Sequence, residues 1–180
     1  MNAVGVLLAA GAGTRYGGPK VLAHDGAWLR AAVAALLDGG CAAVLVVLGA
    51  GAAEAVNLVP AGAYPVFAGE WAAGMSGSLR AGLAAAARTD ADVAVLHLVD
   101  TPDVGAAVVA RVLAADAPLA RASYHGSGGH PVLLHRSHWA AVADAATGDH
   151  GARDFLRGRE DVLAVECADL ASGADIDTPD

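Results

Sequence analysis

Two cations, Arg15 and Lys20, share one glycine-rich stretch, Leu8-Ala9-Ala10-Gly11-Ala12-Gly13-Thr14-Arg15-Tyr16-Gly17-Gly18-Pro19-Lys20. One acid, Asp100, ends the strongest strand-like run of the chain, Val93 to Val99. Glycines at 11, 13, 17 and 18 let a backbone take positive φ and come close to a ligand, and two cations on the same turn suit a polyphosphate. Asp100 begins an Asp-Thr-Pro-Asp turn. It is free to hold Mg²⁺, a hard cation that takes one or two carboxylates together with substrate phosphates. Asp103, next to the helix expected from about Val104, is the better candidate for that helix's N-cap.

Two familiar glycine loops fail on spacing. The dinucleotide fingerprint needs a third glycine where Tyr16 stands, and an acid at the end of the second strand, where the chain reads Gly49-Ala50-Gly51. A P-loop needs Gly-Lys followed by Ser or Thr, whereas here Gly18-Pro19-Lys20-Val21 interposes a proline.

The elements that must position these residues follow from the apolar pattern. Val4 to Leu8 and Ala43 to Leu48 are short branched runs without alternation, as in parallel strands buried on both faces. Ala27 to Leu37 has helical spacing and stops at Asp38-Gly39-Gly40. A short helix through Ala52 to Leu58, a strand near Tyr64 to Ala68, and a helix from Gly74-Met75-Ser76-Gly77-Ser78 to about Arg88 precede the Val93–Val99 strand. Ser76 reads as a cap of that helix. Ala120 to Tyr124 and Val132 to His135 read as strands joined by a mobile glycine-rich connection. A helix from Ser137 to Ala146 capped by Ser137, a short helix through Leu156 and a last strand at Val162 to Val165 complete the order. Alternating strands and helices predict an α/β layer fold, whose ligands bind outside the carboxyl ends of the strands. The loop at Leu8–Lys20 and the turn at Asp100 should therefore meet at one sheet edge.

Composition narrows the class. At 180 residues the chain has the size of one domain, residues 1–180, and it is 56% hydrophobic with only 4% aromatic, so a core of small and branched aliphatics is expected. A net charge of −8 argues against a nucleic-acid surface. Arg30, Asp38 and Glu54 interrupt the alanine-rich runs before any reaches membrane length. No secretion signal is evident, and Cys41 and Cys167 form no C-x-x-C pair, so a cytoplasmic protein with reduced thiols is expected. His125, His130, His135 and His138 lack the thiolates and tight pairing of structural zinc sites, and read as loop histidines.

The pattern L-A-A-G-x-G-x-R-x-G-x-x-K resembles the signature loop of MobA-like nucleotidyltransferases, most of all the molybdenum cofactor cytidylyltransferases. The resemblance runs from Val4 nearly to Asp180. It implies a three-layer α/β/α Rossmann-like fold of the glycosyltransferase-A kind with a mostly parallel sheet. It further implies transfer of CMP from CTP to molybdopterin with release of pyrophosphate and Mg²⁺ as cofactor. Leu8, Ala9, Ala10, Gly11 and Gly13 would cradle the nucleotide, Arg15 would neutralise the outer phosphates, and Lys20 would reach the α-phosphate. Ser78, in a pattern similar to the family's G-x-x-x-S-L-x-x-G-L, would lie beside the base. Asp100, in the family's D-x-P turn, would hold the metal with Asp177 or Asp175 from the D-I-D-T-P tail. Gly129 and Pro131 are similar to the segment facing the acceptor, and Gly148 to Arg153 resembles the family's G-D-x-G-A-R segment. In it Arg153 would hold a phosphate or pair with Asp149. Guanylyl-transferring relatives carry a glycine where Ala10 stands, and its methyl would occupy space a purine needs. A sugar phosphate or other small phosphorylated acceptor is the alternative. A non-catalytic nucleotide-binding regulator or cofactor chaperone is the reading of another class. A molybdoenzyme or its chaperone would receive the product.

Overall fold

The computed structural model describes residues 1–180. One sheet of seven strands runs in the order β3-β2-β1-β4-β6-β5-β7. These are β1 (Ala3–Ala9), β2 (Ala43–Leu48), β3 (Ala63–Phe67), β4 (Val93–Leu98), β5 (Leu119–Tyr124), β6 (Ser127–His135) and β7 (Leu163–Glu166). β1 pairs parallel with β2 and β4, β2 with β3, and β5 with β7, whereas β6 is antiparallel to both β4 and β5. The mostly parallel sheet is as the sequence predicts.

The unbroken apolar strands have the expected cause, burial on both faces. Along β2, Val44, Val46 and Leu48 join a cluster with Leu29, Val33 and Leu36 of α1 (Ala27–Asp38) and Val108, Val109 and Val112 of α4 (Ala106–Leu113). The alternate residues Leu45 and Val47 join the opposite cluster, with Leu79 and Leu83 of α3 (Met75–Ala87) and Trp139 and Val142 of α5 (Trp139–Ala145). Two short helices, α2 (Ala52–Ala55) and α6 (Arg153–Leu156), complete the set. Three layers result. Small residues let α3 lie close to the sheet: a Cβ on Gly82 would stand 2.6 Å from Val6 Cγ1.

Several local expectations are corrected. The N-cap of α4 is Gly105, and Asp103 instead accepts from Ser172 N and Oγ at 2.7 and 2.6 Å, tying the C-terminal segment to the sheet edge. Ser76 is buried and caps nothing; the cap position of α3 is Gly74, at φ +116. The helix read from Ser137 begins as a 3₁₀ turn at Arg136–His138, and its cap is the His135 side chain, which accepts from Ser137 N at 3.3 Å. The mobile connection expected between Tyr124 and Val132 shrinks to a two-residue hairpin turn, His125 and Gly126, both at positive φ, because β6 already begins at Ser127. Glu166 fastens that turn by accepting from the two backbone N–H groups at 2.9 and 3.3 Å.

His97, on β4 beside Leu7, is fully buried, and neither ring nitrogen has a hydrogen-bond partner. Burial, with a smaller contribution from His130, pushes its pKa down to about 3. The unfolded ring takes a proton near 6.5 and the folded ring does not until about 3, so the unfolded chain is favoured as pH falls through that window. One such proton tilts stability by about 1.4 kcal/mol per pH unit. His97→Leu is expected to remove this component from the acid limb. It should also add about 1–3 kcal/mol near neutrality by deleting an unsatisfied buried polar group. Urea unfolding at a series of pH values measures both.

Candidate active site

The glycine loop closes on itself. Gly13 sits at φ +61, and its carbonyl accepts from the N–H groups of Gly17 and Gly18 at 2.9 and 3.0 Å. The Ala10 carbonyl accepts from Ala50 N at 3.0 Å, which pins the start of the loop to the end of β2. Lys20 opens a short 3₁₀ turn that breaks at Ala23–Asp25, and its side chain is largely buried.

Lys20 Nζ donates to Asp100 Oδ2 at 2.8 Å and to Asp177 Oδ1 at 3.0 Å. Arg15 Nη2 lies 3.5 Å from Asp177 Oδ2. Burial works against the ammonium, but hydrogen bonds and charge from Asp100 and Asp177 outweigh it and raise the Lys20 pKa above its usual value. The same hydrogen bond and charge of Lys20, with Arg15 adding, hold the Asp177 carboxyl below the usual range. Lys20 and Asp177 are therefore both charged at neutral pH.

Asp100, Asp175 and Asp177 each offer a carboxylate oxygen within 4.8 Å of the others. Asp100 Oδ1 is buried and has no hydrogen-bond partner, although Oδ2 of the same carboxylate is bonded to Lys20. A buried carboxylate oxygen without a partner is costly unless a cation satisfies it. An all-oxygen donor set suits a hard divalent ion. Asp100 can face such an ion through Oδ1 while keeping Lys20 on Oδ2.

The tail that brings the other two carboxylates is held at several points. Ile176 N donates to the Asp100 carbonyl at 2.9 Å, and Asp103 holds Ser172. The Tyr124 ring occupies the space a Cβ on Gly173 would need, and its hydroxyl donates to the His130 carbonyl at 2.6 Å. Of these contacts, the sequence reading had only the tail aspartates.

Two openings share Leu8, Met75, Leu98 and Asp100 in their walls. The smaller, of about 160 Å³, is lined also by Ala9, Gly11, Gly13 and Lys20. The larger, of about 480 Å³, holds Arg15, Gly129, Asp149, Arg153, Asp175 and Asp177. Most residues singled out from the sequence thus converge. Three stand apart: Pro131 is buried in β6, Ser78 is 4% exposed on α3 without lining either opening, and Ala10 is 3% exposed within the α3-side core. The Ala10 methyl therefore packs into the core and lines neither opening. Arg153 and Asp149 are not an ion pair; the acid that Arg157, Thr147 and His150 engage is Asp154.

Sequence reasoning missed Arg121, His130 and His150, which also line the larger cavity. A signal for Arg121 was available: it is the one charged residue in Leu-Ala-Arg-Ala-Ser-Tyr, the β5 segment.

A cationic glycine loop beside three carboxylates at the carboxyl edge of a mostly parallel sheet defines an α/β protein whose site offers donors both for an anion and for a hard cation. The chain belongs to the MobA-like NTP transferase family, whose domain model matches residues 5–163. It is 39% identical to nicotine blue oxidoreductase of Paenarthrobacter nicotinovorans, over 97% of this chain and 91% of that one. The crystal structure of Rv0371c from Mycobacterium tuberculosis H37Rv is 32% identical and superposes with a TM-score of 0.78, covering 99% of this chain and 94% of that chain. A structure of Rv0371c in complex with manganese, at 27% identity, has a TM-score of 0.72 and covers 98% and 94% of the two chains. No helix is long and apolar enough to cross a membrane.

Proposed function

We propose that this protein transfers CMP from CTP to the phosphate of molybdopterin, releasing pyrophosphate. The observation that carries the transferase reading is the unpartnered Oδ1 of Asp100, one of three clustered carboxylates, on a side chain whose Oδ2 is bonded to Lys20 of the glycine loop. An acceptor phosphate oxygen forms a bond to the α-phosphorus while the bond to the pyrophosphate oxygen breaks, and the leaving group departs with that electron pair. Both partners are anionic, so catalysis is mostly positioning and charge stabilisation. The glycine loop binds the nucleotide, Lys20 stabilises charge growing on the α-phosphate, and Arg15 neutralises the outgoing phosphates. Asp100, Asp175 and Asp177 would hold Mg²⁺, which when bound screens the repulsion between the phosphates. The manganese in the Rv0371c complex supports a divalent ion. CTP and molybdopterin rest on the family resemblance of the loop, and a sugar phosphate is the competing acceptor. A molybdoenzyme or its chaperone would take the product. A cytoplasmic setting, where CTP is at hand and the buried thiols of Cys41 and Cys167 stay reduced, fits this reading.

A second reading comes from the relative's name: an oxidoreductase acting on nicotine blue or a similar compound. The loop's glycine spacing and the lack of an acid after β2 count against a dinucleotide cofactor in the usual α/β manner. One set of measurements separates the readings. With Mg²⁺, CTP at about a hundredfold its Kd should raise Tm by roughly 6–10 °C, and GTP by clearly less. Pyrophosphate should appear only when molybdopterin is added. An equal or larger shift with GTP would remove the base assignment. Oxidation of NADH with nicotine blue, without pyrophosphate release from CTP, would establish the second reading.

A further inference from the structure

Arg121 lies on β5 and projects into the 480 Å³ cavity, where Arg153 also lies. Its Nε is buried and unpartnered, and the side chain makes no hydrogen bond or ion pair with any protein group. Arg153 has no carboxylate within 4.0 Å either. Burial first and the Arg153 charge second both work against the Arg121 guanidinium, as two like charges lining one cavity would. The paired arginines elsewhere in the chain have close carboxylates, as Arg111 has Asp169 at 2.6 Å and Arg159 has Asp161 at 2.6 Å. Two guanidinium groups lining one cavity, neither with a carboxylate within 4.0 Å, ask for an anion from outside.

The backbone is shaped for Arg121. Between the pairs Arg121 with Val132 and Ser123 with Gly128 the register breaks, so Gly129, His130 and Pro131 bulge opposite Ala122 alone. A Cβ on Gly128 would overlap the Arg121 guanidinium, so only glycine lets the planar group lie across the strand at that point. Gly128 does not have positive φ, so its own backbone does not require glycine.

We propose that Arg121 and Arg153 together seat a phosphate monoester dianion, the attacking group of the acceptor, with Gly128 fixing the Arg121 fork. The proposal rests on the transferase reading for its meaning but not for its measurement. A phosphate monoester, with a second pKa of about 6, is already a dianion at neutral pH and attacks without giving up a proton. That agrees with a cavity whose half-buried histidine, His130, has its pKa pushed down to about 4 by burial and by Arg121.

The test uses phenyl phosphate and inorganic phosphate, titrated calorimetrically into the full chain without nucleotide. Arg121→Gln should weaken phenyl phosphate ten- to hundredfold. Gly128→Ala, which keeps the charge but moves the fork, should weaken it severalfold or more, and Arg121→Lys should fail to restore it because an ammonium has no fork. Melting temperature and the CTP-induced shift report folding in each variant. Equal phenyl phosphate affinity in wild type and Arg121→Gln overturns the proposal, as does absence of binding by the wild type at millimolar concentration. If phenyl phosphate binding depends on Arg121 while CTP gives no shift, the nucleotide reading falls and the anion seat stands. If CTP binds and the phosphates do not, the reverse holds.

Discussion

Asp100→Asn is expected to lower divalent-metal-dependent pyrophosphate release about a thousandfold or more while leaving the sheet intact. The side chain keeps its size, and the backbone carbonyl that receives Ile176 N is untouched. The charge is lost. Oδ1, buried and unpartnered, can no longer serve as an anionic metal ligand, and Lys20 is left with Asp177 as its one charged partner. Metal stabilisation of developing phosphate charge is worth several kcal/mol, and 4 kcal/mol corresponds to roughly a thousandfold in rate. Stability should fall by much less, about 1–3 kcal/mol, because Lys20 retains one of two carboxylates in a partly buried setting. Turnover, Mn²⁺ binding by electron paramagnetic resonance and urea unfolding give the three readouts. Turnover within tenfold of wild type would remove Asp100 from the metal site.

The sequence already exposed the parts of this arrangement that local chemistry determines. Unbroken branched runs at Val44–Leu48 and Val93–Leu98 are dictated by burial on two faces, so their place in a parallel sheet was readable. Carboxyl-edge placement then joined Asp100 to the loop, and the Lys20–Asp100 bond realises that inference across eighty positions of chain. The errors have one physical origin. Asp103, Ser76 and Ser137 each stand near a helix start, where such residues cap by default. Asp103 found Ser172, sixty-nine positions away, and His135 displaced Ser137 as the cap. Competition between a local and a distant partner is decided by tertiary geometry, which a single sequence does not display. The same holds for Gly128 under Arg121, where the reason for glycine is a side chain from another strand, and in part for Gly173, whose positive φ adds to the close Tyr124 ring. The stretch between Tyr124 and Val132 was legible as a connection but not as a two-residue turn running into β6 at Ser127, since the turn's anchor, Glu166, comes from the last strand.

Gly11 and Gly13 look equivalent in the sequence, and the structure separates them into opposite experiments. Gly13 is at φ +61, and an added Cβ would strike the carbonyl of Gly18, the residue whose N–H it accepts. An alanine there incurs about 1–2 kcal/mol of left-handed backbone strain even before the overlap. The loop must open, and Arg15 and Lys20 move with it. Since a displacement of about 1 Å can cost a hundredfold in rate, Gly13→Ala should lose two or more orders of magnitude in turnover together with a lower Tm. Gly11 has no protein atom within 4 Å of where its Cβ would be and no positive φ, and it lines the smaller opening. Gly11→Ala should keep the wild-type Tm yet weaken the CTP-induced stabilisation, because its methyl enters the space that backbone N–H groups offer to phosphate. Thermal shifts with and without nucleotide, run on both variants, decide it. If Gly11→Ala binds CTP as tightly as wild type, the nucleotide does not lie along this loop. Lys20 would then be a structural clasp for Asp100 and Asp177, with no part in phosphate transfer.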